Sequence, residues 1–174
     1  INLNYGLRLS NWSWNNEWLI SPRASLAYIP KKHDNMLFRL ATGLYYQRPF
    51  YKELRDTISH GATTIVELNK NIQSQRSFQV IAAYEYRFKV ANRPFLFATE
   101  LYYKAQDRLN PYTVDNTKII YYGRNCATGN VMGADFKLYG EFVPGTDSWL
   151  TFSLMRARMN LNGKNIPQPT DQTW

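Results

Sequence analysis

Side chains that could do chemistry are sparse in this chain and poorly spaced for catalysis. The two histidines, His33 and His60, stand far apart, and Cys126 is the one cysteine. A transition-metal centre therefore has almost no ligands, a disulfide scaffold is excluded, and neither a metal nor a cofactor is expected. Glu53, Asp56 and Glu67 are carboxylates in one polar stretch, but no spacing pairs them for acid–base work. Ser59-His60 lacks the GxSxG elbow that would aim a serine nucleophile. Enzyme activity is not expected. Binding is better served. Gln47, Arg48, Phe50, Tyr51, Lys52 and Arg55 combine aromatic faces with charged and amide groups, a set suited to capturing a polar solute. Tyr112, Tyr121, Tyr122 and Asn125 form a second candidate group.

The elements that must position these residues follow from a period-two pattern, the period of a β-strand. Ile1, Leu3, Tyr5, Leu7 and Leu9 alternate with Asn2, Asn4, Gly6, Arg8 and Ser10. The same alternation recurs near 18–28, 36–47, 78–88, 95–104, 132–142 and 150–154. In the last segment it is less clean, because Arg156 and Arg158 continue on the apolar parity. Before that point every strand charge falls on the polar parity: Arg8, Glu17, Arg23, Arg39, Glu85, Arg87, Glu100, Lys104, Asp135, Lys137 and Glu141. By chance about seven of roughly 37 apolar-parity positions would have been charged. The two faces meet different media. Arg39, Glu85, Arg87, Glu100, Lys104, Asp135, Lys137 and Glu141 are read as lumen-facing, a ladder of mixed sign in a water-filled interior.

An antiparallel soluble sandwich would alternate too, so strand length and aromatic placement must decide. Strands of about ten to 13 residues exceed the usual five or six. Tilted near 40°, eleven residues rise about 27 Å, close to the hydrocarbon thickness of a bilayer. Aromatics sit at both ends of the apolar parity: Tyr28, Phe38, Phe88, Phe95, Phe142 and Trp149 at one end, Trp18, Tyr46, Phe78 and Tyr103 at the other. Leu40, Ala82, Leu101 and Phe136 fall midway and are expected to face lipid. Short polar connections (30–35, 89–94, 143–148) alternate with long ones (48–76, 107–130), with a tight turn at 11–16 as the exception. Short turns on one side and long loops on the other is the arrangement of outer-membrane barrels. Ile119–Tyr122 is read as a loop extension.

Composition agrees. The chain has 13 Tyr, 9 Phe and 5 Trp, and its mean hydropathy is −0.48. No stretch reaches the roughly 18 apolar residues of a membrane-spanning helix. The net charge of +8 comes from singly scattered cations with no nucleic-acid signature, so nucleic acid is not an expected partner.

Four segments carry a family resemblance. They are Ser21-Pro22-Arg23-Ala24-Ser25-Leu26-Ala27-Tyr28; Gly43-Leu44-Tyr45-Tyr46-Gln47-Arg48-Pro49-Phe50-Tyr51; Thr99-Glu100-Leu101-Tyr102-Tyr103-Lys104 with Asn110-Pro111-Tyr112; and Gly140-Glu141-Phe142-Val143-Pro144-Gly145-Thr146-Asp147-Ser148-Trp149, followed by Pro167-Gln168-Pro169-Thr170-Asp171-Gln172. In this order they resemble the barrel of TonB-dependent outer-membrane receptors, in the branch with an N-terminal carboxypeptidase-regulatory-like domain. The resemblance implies an all-β, antiparallel transmembrane barrel of roughly 22 strands, of which residues 1–174 are an arc of seven to eight. It implies an active importer of a scarce nutrient (siderophore, haem, glycan or peptide) in the bacterial outer membrane. The implied partners are membrane lipid, the receptor's own plug and remaining strands, the TonB inner-membrane energy complex and a surface lipoprotein lid. The plug and the TonB box are absent here, and the ragged ends read as those of a piece of a longer chain. The alternative is a self-standing small barrel serving as adhesin, anchor or porin.

Overall fold

The computed structural model describes residues 1–60 and 63–172, with the backbone alone for 56–60 and 63–66. Eight antiparallel strands form one sheet, in order β1 (Asn2–Trp12), β2 (Glu17–Tyr28), β3 (Met36–Gln47), β6 (Gln75–Val90), β7 (Arg93–Leu109), β10 (Ala127–Val143), β11 (Thr146–Leu161) and β12 (Lys164–Pro167). A short helix α1 (Tyr51–Leu54) and two small hairpins, β4–β5 (Arg55–His60, Thr63–Leu68) and β8–β9 (Tyr112–Asp115, Lys118–Tyr121), fill the two long connections. The fold is all-β, and among the described residues no helix is long and apolar enough to cross a membrane.

The register puts like with like. Leu3, Leu26, Leu40, Ala82, Leu101, Ala134 and Leu154 stand opposite one another strand by strand, an apolar row across the sheet. Tyr28, Phe38, Tyr84, Thr99, Phe136 and Phe152 make the next row on that face. One residue out of phase, on the other face, lie Arg39, Ala83, Glu100, Asp135 and Ser153, then Glu85, Ala98, Lys137 and Thr151. Because side chains alternate with period two, this register fixes both faces at once. No second layer covers the apolar one: Leu40 is 48%, Leu101 55% and Phe152 57% exposed.

At the short-turn end the aromatics touch. Phe38 packs between Tyr28 and Tyr84, and Phe88, Phe95 and Phe142 form a chain with centroids 5.7 and 5.3 Å apart. Gly140 makes that chain possible, since any Cβ there would overlap the Phe95 ring. Ala91 and Asn92, both at positive φ, close the β6–β7 hairpin in two residues, the geometry that matches strand twist.

Ile119–Tyr122, read as a loop extension, lies outside the large sheet: Val114 and Thr113 pair with Ile119 and Ile120 in a hairpin of their own within the β7–β10 connection. The connection after β3 likewise holds a hairpin, with β4 and β5 paired from Arg55↔Leu68 to His60↔Thr63. Two expectations need correction. Trp149 pairs with Tyr139 and so joins the Lys137 face, because it stands one residue out of phase with Leu150, Phe152 and Leu154. Finally, β6 and β7 run higher than the alternation suggested, and Arg76 and Asp107 meet on the apolar parity at its upper end. There the charges neutralise each other, with Arg76 Nε 3.0 and 2.9 Å from the two Asp107 oxygens.

Candidate functional site

The long connections, β3–β6 and β7–β10, rise from the same end of the sheet as the β1–β2 turn, and asparagines stitch the three together. Asn15 Nδ2 donates to the Ile72 carbonyl at 3.0 Å and Asn69 Nδ2 to the Gly123 carbonyl at 2.9 Å. Asn125 accepts from the Gln73 N–H at 2.7 Å and donates to the carbonyls of Gln73 and Arg108. Asn110 accepts from the Arg124 N–H at 3.3 Å. Amides suit this task because each offers donor and acceptor to backbones that have no ladder of their own.

Glu17 is the other tie. Its carboxylate takes the Ser74 N–H at 2.9 Å and the Arg108 guanidinium at 3.2 Å, so the starts of β2 and β6 and the end of β7 converge on one side chain. Ile72 and Ser74 are fully buried in consequence. Beneath these ties lies a cavity of about 500 Å³, lined by Gln47, Glu53, Gln75, Gln106, Asn110, Tyr112, Tyr121, Tyr122 and Pro169 among others. Its polar groups are mostly amides and phenols. The charged residues of its lining are Arg158 and Glu53, the latter 6% exposed, with its Oε2 accepting the Phe50 N–H at 3.0 Å. Burial pushes its carboxyl above the ordinary carboxylate range, and the Phe50 bond only partly opposes that shift.

The residues read as candidates from sequence divide here. Gln47 and Tyr112 line the cavity, together with Tyr121 and Tyr122. Phe50 and Tyr51, each 63% exposed, point outward, and Lys52 and Arg55 are exposed as well. Arg48 donates to the Asn11 carbonyl at 3.1 Å and lines a different cavity. Asn125 ties the loops together. On the polar face of the sheet, Arg39, Glu85, Glu100, Asp135 and Lys137 border one groove of about 310 Å³, where Arg39 pairs with Glu85. Arg87 stands 3.9 Å from Glu85, and Lys104 lies 5.7 Å from the Tyr102 ring centroid. Glu141 stands apart, accepting the Gly145 N–H at the turn. Asp56, Ser59 and His60 lie outside the described side chains.

Sequence reading missed Glu17, Gln106 and Asn110 as site-forming residues. It counted Glu17 only as one charge of the polar parity, and nothing in period two distinguishes a strand-end carboxylate that gathers loops. A free-standing NP dipeptide at Asn110-Pro111 marked a turn and was the one signal present. No protein-family model, no curated protein and no solved structure matches this chain.

Proposed function

We propose that this chain is part of the wall of a transmembrane β-barrel in the bacterial outer membrane, belonging to a TonB-dependent importer of a scarce nutrient. One observation carries the membrane half of that reading: a single-layer sheet with one apolar face left uncovered. The outer positions of β6 from Phe78 to Phe88 hold no charge, and Arg76 and Arg93 on the neighbouring rungs bound them. At ~3.3 Å per residue and a tilt near 40° that band is about 25 Å tall, the height of a barrel's apolar belt. In water, such a surface is far larger than the apolar patches that monomeric soluble proteins tolerate.

The importer half rests on the resemblance of the Gly140–Trp149 segment and its companions, and on loops gathered at one end over a polar cavity. On this reading the loop end faces the cell exterior, the mixed-sign face lines the interior with the plug, and the TonB complex acts through the full-length protein. Solute enters by the cavity beneath the asparagine ties. Boiled outer membranes probed for this segment test the reading. A band several times heavier than 20.4 kDa, cross-linking to TonB, is the expected outcome. A band near 20.4 kDa with no such cross-link contradicts it.

A further inference from the structure

The polar faces of β1, β2 and β3 enclose a cavity of about 290 Å³ whose chemistry differs from the rest of that face. Arg8 and Ser10 come to it from β1, Ser21 and Arg23 from β2, Tyr45 from β3, and Arg48 from the residue after it. Its origin is a parting of strands. The β1–β2 ladder runs up to Trp12↔Glu17 and the β3–β6 ladder to Gln47↔Gln75, but β2 and β3 stop pairing at Arg23↔Gly43. Pro22, which has no N–H to give, follows at that point in the upward direction. The Tyr45 ring folds over Gly43, where a Cβ would lie 2.9 Å from the ring. On that ring rests the Arg23 guanidinium, 4.6 Å from the centroid.

Elsewhere on this face three arginines have carboxylates. Arg39 and Arg87 have Glu85, and Arg108 has Glu17. Among the described residues no ion pair includes Arg8, Arg23 or Arg48, and the cavity lining contains no carboxylate. Glu17, on the same face of β2, is taken by Arg108 and the Ser74 N–H. Three like charges around a small space repel one another unless something negative lies between them. Guanidinium forks match the two oxygens of a carboxylate, phosphate or sulfate, and the serine hydroxyls add donors.

We propose that this cavity binds an oxyanion group. The group belongs either to a free solute or to an Asp or Glu from another segment of the full-length protein. The inference does not depend on the import reading, because it concerns binding alone. The test uses the purified full-length protein, citrate as probe, and two readouts: calorimetric titration and thermal unfolding. Arg8 is the residue to change, since among the described residues its side chain makes no hydrogen bond, ion pair or ring contact, whereas Arg48 holds the Asn11 carbonyl and Arg23 rests on Tyr45.

If the anion is a free solute, citrate binds and raises the Tm. Arg8→Gln then weakens binding by about tenfold or more, and Lys104→Gln, elsewhere on the same face, leaves it unchanged. If the anion belongs to the protein, citrate does not bind but Arg8→Gln lowers the Tm, because a carboxylate loses its partner. Two results overturn the proposal. One is citrate binding of equal strength to wild type and Arg8→Gln. The other is no citrate binding together with a Tm unchanged or raised in Arg8→Gln, since removing one of three uncompensated charges relieves repulsion.

Discussion

Glu53 carries a titration at the loop end whose direction is fixed by its surroundings. Its folded-state carboxyl is raised by burial, so the folded protein holds that proton more tightly than the unfolded chain does. The stabilising contribution is therefore complete below the unfolded carboxylate value and is lost as pH rises through the folded one. Glu53→Gln should flatten that fall and leave the protein as stable or more stable at neutral pH, read from unfolding curves across pH. A steeper fall in the variant would sink the assignment. Asn125 makes the opposite prediction. Asn125→Ala removes two exposed bonds to Gln73 and leaves the partly buried Arg108 carbonyl unmet, at a cost of about 1 kcal/mol. Amide exchange of Gln73 and Ser74 should quicken; unchanged protection would show that these bonds do not hold the loop. Legibility at this scale was uneven. Gln47, Arg48 and Tyr112 could be picked out by type, but Arg8 and Arg23 lie far from Arg48 in sequence and read as scattered cations. Only the register brings them to one cavity.

At the scale of elements the alternation was nearly sufficient. Period two located all seven long strands, because an uncovered apolar face and a charged one leave each residue a single tolerable side. It failed where that contrast weakens. Upper β6 and β7 carry Arg76 and Asp107 on the apolar parity as a self-neutralising pair, so parity counting ended the strands too soon. The β4–β5 and β8–β9 hairpins are short, and β8 is exposed at every position, so its two faces meet one medium and nothing enforces alternation there; both hairpins read as loop. The apolar face gives a direct prediction. Leu101→Arg, in the central row, should cost about 2–4 kcal/mol if that row lies at mid-bilayer. Ala98→Arg, on the opposite face of β7, should cost much less. Equal costs would mean that the two faces share one environment. Deleting 57–66 trims the β4–β5 hairpin while keeping Glu53, Asn69 and the ties of Ile72 to Ser74. Solute affinity should then change little, whereas deleting 52–70 removes cavity wall and tie together and should lower it about tenfold or more. Loss of affinity from the short deletion would move the binding surface out to the hairpin.

For the whole molecule, the edges matter most. Among the described residues β1 pairs only with β2, and the far edge belongs to the short β12. Along the part of β11 that β12 does not reach, residues 168–172 take over, with the Gln168 N–H on the Ala157 carbonyl at 2.9 Å and the Gln172 N–H on that of Met155 at 2.9 Å. Asp171, 3% exposed at its side chain, meets Arg158 Nε at 2.8 Å there. Backbone edges of this kind are intolerable in lipid, so a membrane role requires neighbouring strands from the rest of a barrel. On the proposed reading, one face of this sheet meets lipid and the other meets water. Spin labels placed singly along β7 from Phe97 to Tyr103, in the full-length protein within outer-membrane vesicles, test it most directly. Labels at Phe97, Thr99, Leu101 and Tyr103 should be accessible to oxygen and shielded from a water-soluble nickel chelate. Those at Ala98, Glu100 and Tyr102 should show the reverse. Uniform access to the nickel chelate at all seven positions would contradict a barrel wall and return the sheet to water.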